Sequence, residues 1–233
     1  KWGVGVDNVD QIACEDLGIA FANTPQMFGA EVADLALGYV IAIARQTFVI
    51  DRAVRDGDWP KPRGISLAGK TAGVVGYGDI GRAVANRLQA CELEVLVYDP
   101  ARSSADVPSG IQLRSWPEAI AQCDFPVVTC ALTPANHHML DAEILKRCKP
   151  GVRVVNVARG PLIDEKALIA ALDSGRVHSA ALDVFEQEPL SYDSPLRRYP
   201  TRVFGSHNAS NTEEGVLRAS DKAIDLVMRF LQS

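Results

Sequence analysis

Short apolar runs recur along the chain, separated by stretches in which apolar residues return every three or four positions. The runs at 71–75, 95–98, 125–130, 152–157 and 180–185 are brief and rich in Val, Ala and Leu, the pattern of buried parallel strands. The spacing between them predicts helices over 80–90, 117–122, 142–148 and 165–172. The last has clear end signals: Asp164 can cap it, Glu165 stands in its first turn and Gly175 lies just past its end. Earlier, a helical pattern runs from residue 31 to about 46. Its apolar core, 32–44, is broken by Asp34 and closed by Arg45, so it is too short to span a bilayer and reads as a buried helix. Residues 56–64, dense in Gly, Pro and Asp, predict a loop that crosses between substructures. Strands alternating with helices predict an α/β fold, a doubly wound parallel sheet with helices on both faces. In such sheets ligands sit at the carboxyl ends of the strands, so the residues just after each apolar run are where chemistry is to be sought.

Composition narrows the possible partners. The chain has 233 residues, 47% hydrophobic and 23% charged, enough for one generous domain or a domain and a fraction. Its 24 basic residues are scattered among 29 acidic ones, a formal charge of −5, which argues against a nucleic-acid or membrane partner. The five cysteines are odd in number, widely spaced and without a CxxC pair; they read as reduced core thiols of a cytoplasmic protein. His137, His138 and His178 read as structural or solvated, and their spacing supplies no metal-ligand set, so no metal is expected.

Four strand ends carry unusual residues. Gly76-Tyr77-Gly78-Asp79-Ile80-Gly81 follows a strand and opens a helix, and Asp99 closes the next strand, the layout of a dinucleotide fingerprint. Gly76 permits the tight turn, Gly78 lets the backbone approach a pyrophosphate, and Gly81 lets the helix lie close on its strand. Asp99 would accept both ribose hydroxyls and repel a 2′-phosphate, which favours NAD over NADP, with Arg102 weakening that preference a little. Arg159 follows another strand and can hold a carboxylate through two parallel hydrogen bonds. The stretch "ALDVFEQEPL" ends a strand in three acids: Asp183 is suited to a nicotinamide amide, Glu188 sits before Pro189, and Glu186 reads as solvated. His207, after a short apolar run, has the side chain suited to proton transfer near neutral pH, and Glu188 is the candidate carboxylate to stabilise its imidazolium.

Together with "GVGVDNVD", "NTP", "EVADLALGYVIAIAR", "LAGKTAGVVGYGDIGRAVA", "VVNVARGPLIDEKALIAAL", "AALDVFEQEPL" and "SHNASNT", these residues resemble the D-isomer-specific 2-hydroxyacid dehydrogenases, most closely their phosphoglycerate dehydrogenase-like branch. The resemblance covers nearly the whole chain. It implies a catalytic trio of Arg159, Glu188 and His207. It implies cofactor contacts at Asp79, Ile80, Asp99, Val157, Ala158, Asp183, Asn208, Ala209 and Ser210, with Cys130 where relatives often carry Thr, and substrate-carboxylate binding by the backbone of Val4 and Gly5. The implied activity is hydride transfer between NAD(H) and a D-2-hydroxy or 2-oxo acid, with 3-phosphoglycerate the candidate substrate, in a homodimer. A corepressor-like NAD(H) sensor, or a form that only binds nucleotide, is the alternative. It further implies a Rossmann domain over 23–210, with 1–22 and 211–233 as remnants of a flavodoxin-like substrate domain whose N-terminal portion is missing.

Overall fold

The computed structural model describes residues 1–232. Seven strands form one sheet: β1 (Thr71–Val75), β2 (Glu94–Tyr98), β3 (Ile111–Arg114), β4 (Phe125–Val128), β5 (Val152–Asn156), β6 (Val177–Leu182) and β7 (Val203–Phe204). They lie in the order β3-β2-β1-β4-β5-β6-β7, and every neighbouring pair is parallel. The order reverses at β1, which pairs with both β2 and β4, and that switch point opens a crevice at the strands' carboxyl ends.

Alternate side chains of each central strand feed two separate cores, as the two-residue period of a strand requires. Val74, Val97, Val127, Val155 and Ala181 pack with Val40 and Ile43 of α2 (Gly29–Arg45) and Val84 and Leu88 of α4 (Asp79–Ala90). Their neighbours Val75, Leu96, Val154 and Ala180 pack on the other face with Leu145 of α5 (Ala142–Arg147) and Leu168 of α6 (Glu165–Asp173). Burial on both faces accounts for the continuous apolar runs, where an alternating pattern would mark a half-exposed sheet.

Most expected elements are present with shifted ends. The predicted helix at 117–122 shrinks to a single 3-10 turn at Ile120–Gln122, because Ala119 has left-handed dihedrals (φ 59°) that stop an α-helix from starting earlier. The early helix ends at Arg45, where left-handed Gln46 (φ 57°) turns the chain into α3 (Thr47–Arg55). Helix α1 (Gln11–Asp16), β3, α3 and α7 (Glu213–Leu231) were not foreseen from the pattern. Among the described residues no single helix is long and apolar enough to cross a membrane; α2 and α3 reach that composition only as a pair bent by 68°, and α2 is mostly buried.

Candidate active site

The glycine turn leaves β1 and enters α4 at the switch point. Gly76 has φ +95°, open to glycine without strain, and a Cβ there would come within 2.6 Å of Cys130 Cα on the loop after β4. A Cβ on Gly81 would overlap the Gly76 carbonyl oxygen, so the missing side chain is what seats α4 on the turn. Thr129, which sequence reasoning passed over, pins that carbonyl: its Oγ1 donates to Val75 O at 3.0 Å and Gly76 O at 2.9 Å. Gly78, the N-cap of α4, supplies no side-chain cap, and the first helical hydrogen bond, Arg82 N to Gly78 O, leaves the preceding N–H groups facing out. Asp99 is drawn in from the next strand, where Oδ2 accepts Tyr77 N at 2.7 Å and Oδ1 accepts Ala101 N at 2.9 Å. This uncapped helix start, its close-seated glycines and the acid beside them fit the pyrophosphate and ribose of a dinucleotide. Asp79, exposed in the first turn, turns its carboxylate toward the start of α2, where a Cβ on Gly29 would lie 2.5 Å from its Oδ2.

Beside this turn lies a cavity of about 510 Å³ that gathers Val4, Gly5, Ile80, Val157, Arg159, Asp183, Glu188, His207, Ala209 and Ser210 on its walls. Gly76, Gly78, Asp79, Gly81, Asp99, Cys130, Ala158 and Asn208 are not among its lining residues. The expected cofactor residues therefore divide between those lining this chamber (Ile80, Val157, Asp183, Ala209 and Ser210) and those outside it, at the turn after β1, the end of β2 and the loops after β4, β5 and β7.

His207 and Glu188 meet on the chamber wall, with His207 Nδ1 2.7 Å from Glu188 Oε2 and the side chains 47% and 35% exposed. Glu188 also accepts Phe185 N through Oε1 at 3.0 Å, which leaves Oε2 for the imidazole. His207 has left-handed dihedrals (φ 56°), and its backbone N donates to Asp183 O at 2.7 Å. Asp183 is 1% exposed, and its carboxylate accepts Asn208 N at 3.2 Å, Ala209 N at 3.0 Å and the Tyr39 hydroxyl at 3.5 Å. It thus clasps the histidine loop. A carboxylate offers about four lone-pair positions, so contact with a nicotinamide amide would add to that clasp. Burial, and then the Asp183 charge, raise the Tyr39 phenol well above its ordinary value of 10.0, keeping it a neutral donor.

Arg159 reaches the same chamber. Its Nη1 donates to Ala158 O at 2.7 Å and its Nε to Asp7 Oδ1 at 3.0 Å, while buried Asn156 holds its backbone by donating to Arg159 O at 2.9 Å. Asn23, from the "NTP" stretch, donates to Val4 O at 2.8 Å and fixes the loop that carries Gly5. Asp7, Asn156 and Tyr39 were not found from the sequence; Asp7 and Tyr39 reveal themselves through partners far along the chain, and Asn156 through the local bonds by which it shapes the turn at Ala158 and Arg159.

Glu186 is exposed, as expected of a solvated acid, and it also makes contacts within the chain. Its Oε1 accepts Glu165 N at 2.9 Å and pairs with His138 Nε2 at 3.0 Å, and its own N donates to Glu165 Oε1 at 2.6 Å. Burial, the larger influence, and the nearby Glu186 charge raise the Glu165 carboxyl above its ordinary 4.5, against the lowering effect of the Glu186 N–H. Spacing along the chain gave no metal-ligand set, yet the fold brings ligand atoms of His138, Asp164 and Glu186 within 4.8 Å of one another. These side chains have partners within the chain, for Asp164 Oδ1 caps α6 by accepting Ala167 N at 3.0 Å.

A doubly wound sheet with a glycine turn at its switch point, beside a cavity that an imidazole–carboxylate pair and an arginine both line, defines a dinucleotide-binding type of domain. Residues 37–209 match the family described as D-isomer specific 2-hydroxyacid dehydrogenase, NAD binding domain, and the chain belongs to that family. It is 39% identical over 218 residues to a D-3-phosphoglycerate dehydrogenase of Archaeoglobus fulgidus, covering 92% of this chain and 41% of that protein. It is 38% identical over 223 residues to the Homo sapiens D-3-phosphoglycerate dehydrogenase, covering 94% and 42%. Among solved structures, a glyoxylate reductase from Paecilomyes thermophila superposes with TM-score 0.88 at 35% identity, covering 94% of this chain and 67% of that one. A D-lactate dehydrogenase from Aquifex aeolicus, complexed with NAD and lactic acid, gives 0.91 at 25% identity, covering 99% and 74%. The chain spans less than half the length of these curated relatives.

Proposed function

We propose that this protein is an NAD-dependent oxidoreductase acting on a D-2-hydroxy acid and its 2-oxo counterpart. The observation that carries the reading is the 2.7 Å contact between His207 Nδ1 and Glu188 Oε2, on the wall of the same cavity as Arg159, Val4 and Gly5. Gly76, Gly78, Asp79, Ile80, Gly81 and Asp99 would hold the pyrophosphate and adenosine ribose, and Cys130, Val157, Ala158, Asp183 and Asn208 to Ser210 would border the nicotinamide end. When bound, NAD(H) supplies the hydride acceptor or donor. With Nδ1–H donated to Glu188, the Nε2 of His207 is free to take the hydroxyl proton during oxidation and return it during reduction of the 2-oxo acid. Arg159 and the backbone of Val4 and Gly5 hold the substrate carboxylate, and the guanidinium offsets its charge.

The names of the curated relatives make 3-phosphoglycerate the first substrate to test, with glyoxylate the second. The reading includes a dinucleotide domain over 23–210 and substrate-domain segments at 1–22 and 211–233. In its support, Trp2 Nε1 donates to Ser220 Oγ at 3.2 Å, joining the two segments. It also includes a homodimer formed through α2 and a cytoplasmic setting; sedimentation at several concentrations would test the dimer.

The deciding experiment follows NADH oxidation by the full-length protein across 2-oxo acids, 3-phosphohydroxypyruvate and glyoxylate included. His207→Ala is expected to lower kcat by about 10²- to 10⁴-fold, the usual worth of general acid–base catalysis, with NADH affinity kept. Unchanged turnover would remove the role given to the imidazole. Tight NADH binding with no turnover on any acid would favour a sensor of NAD(H) instead.

A further inference from the structure

Arg159 has more than one donor edge, and the fold uses them unequally. Nη1 is committed to Ala158 O at 2.7 Å and Nε to Asp7 Oδ1 at 3.0 Å, an ion pair that joins residues 152 positions apart. Nη2 donates to no acceptor among the described residues and lies against Gly5, where a Cβ would overlap it. A guanidinium is a rigid planar fork, so fixing Nε fixes the direction of Nη2. From the residues in hand, we propose that Asp7 is a positioning residue for substrate recognition: by accepting from Nε it aims Nη2 of Arg159 across the Gly5 backbone, toward the carboxylate of a 2-oxo or 2-hydroxy acid.

This deepens the proposed function and rests on it. Nε–H and one Nη2–H share the side-on edge of the guanidinium, where Asp7 accepts from Nε alone; a substrate carboxylate would meet the other Nη2–H, at the end of the fork, with Asp7 still beside it. Burial pushes the Asp7 carboxyl up, but the Arg159 charge, the backbone N–H of Asp7 and the Arg159 hydrogen bond together bring it below its ordinary 3.8. The acceptor therefore stays ionised through the neutral range. Without it only the Nη1 bond to Ala158 O would hold the guanidinium, so its plane could turn about that contact and the aim of Nη2 would loosen while the charge remained.

The test uses the full-length protein saturated with NADH and oxamate as the probe of the 2-oxo acid site, read by calorimetry, together with KM and kcat for the best 2-oxo acid found. Asp7→Ala should weaken oxamate binding and raise KM by about tenfold, with kcat moving less and NADH affinity unchanged. Asp7→Asn keeps an acceptor oxygen at the same place and should restore most of both. Arg159→Leu separates the two levels of the argument. If it weakens oxamate binding while Asp7→Ala does not, or if Asp7→Asn is as impaired as Asp7→Ala, the positioning role falls and the functional reading stands. If Arg159→Leu has no effect, the functional reading itself falls.

Discussion

His207 holds a backbone conformation uncommon for any residue but glycine, at φ 56°, and such positions typically cost on the order of 1–3 kcal/mol unless neighbours hold them. Asp183 is that neighbour, receiving two backbone N–H groups of the histidine loop on its carboxylate and a third on its carbonyl. Replacing it with Ala would leave buried donors unsatisfied at about 1–3 kcal/mol each, so Asp183→Ala should destabilise the fold by about 3 kcal/mol or more in urea unfolding. A loss below about 1 kcal/mol would show that the clasp carries little. At this scale the sequence was legible where a residue's chemistry is unusual for its place: an Arg, an acid or a His just past a buried strand. It was silent on Asp7, Thr129 and Tyr39, ordinary polar residues whose partners lie across the fold, and on Asn156, whose bonds to Ala158 and Arg159 are local but depend on the turn the strand end takes. Glu186 is exposed as a solvated acid should be, but its His138 and Glu165 contacts join separate loops and left no mark in the sequence.

Helix α4 illustrates how an element can reverse an intrinsic preference. In an exposed helix interior, Gly→Ala gains about 1 kcal/mol. At Gly81 the added methyl would overlap the Gly76 carbonyl, and overpacking typically costs about 1–3 kcal/mol. The variant Gly81→Ala is thus expected to be less stable and to bind NADH at least about tenfold more weakly, measured by thermal unfolding and fluorescence titration. A stabilised variant with normal NADH affinity would mean that α4 does not depend on this close seat. Among elements, the central strands and α4 to α6 could be read from their apolar patterns because both sheet faces are covered. Strand β3, at the sheet edge, is short and partly exposed and does not carry the pattern of a buried strand; α7 does repeat apolar residues at helical spacing after a capping Thr212, a signal that went unread, and it leaves Leu217, Ile224 and Val227 exposed. Strand β6 begins at Val177, earlier than its apolar run, since Val177 and Ser179 pair with Val152 and Arg153 of β5, with His178 taken up in the register shift between them.

At the scale of the whole molecule, burial shifts the thiols and one histidine, and these groups bound the pH range of its stability. Burial, more than any neighbouring charge, pushes the thiols of Cys123 and Cys130 up to about 11 and that of Cys148 up to about 12, from an ordinary 9.0. A group whose value is raised on folding stabilises fully below its unfolded value, so this contribution is complete below pH 9.0 and lost as pH climbs toward 11 and 12. His178 behaves oppositely: burial first, and then the Arg153 charge, lower it from 6.5, so the unfolded chain takes the proton more readily and stability declines as pH drops below that value. Urea unfolding free energy should therefore be greatest between about pH 7 and 9 and decline on both sides. A profile flat from pH 5 to 11 would contradict these assignments. By itself the sequence determined the alternating α/β order, the glycine turn with its acid, and the three ionisable residues beyond strands, because burial and turn geometry constrain residue type locally. Only the tertiary structure decided that Arg159, Glu188 and His207 share one cavity, that Asp7 aims Arg159 and that Asp183 holds the His207 loop. Such contacts join residues far apart in the chain, and their distances are fixed by sheet order and loop packing, which no local pattern encodes.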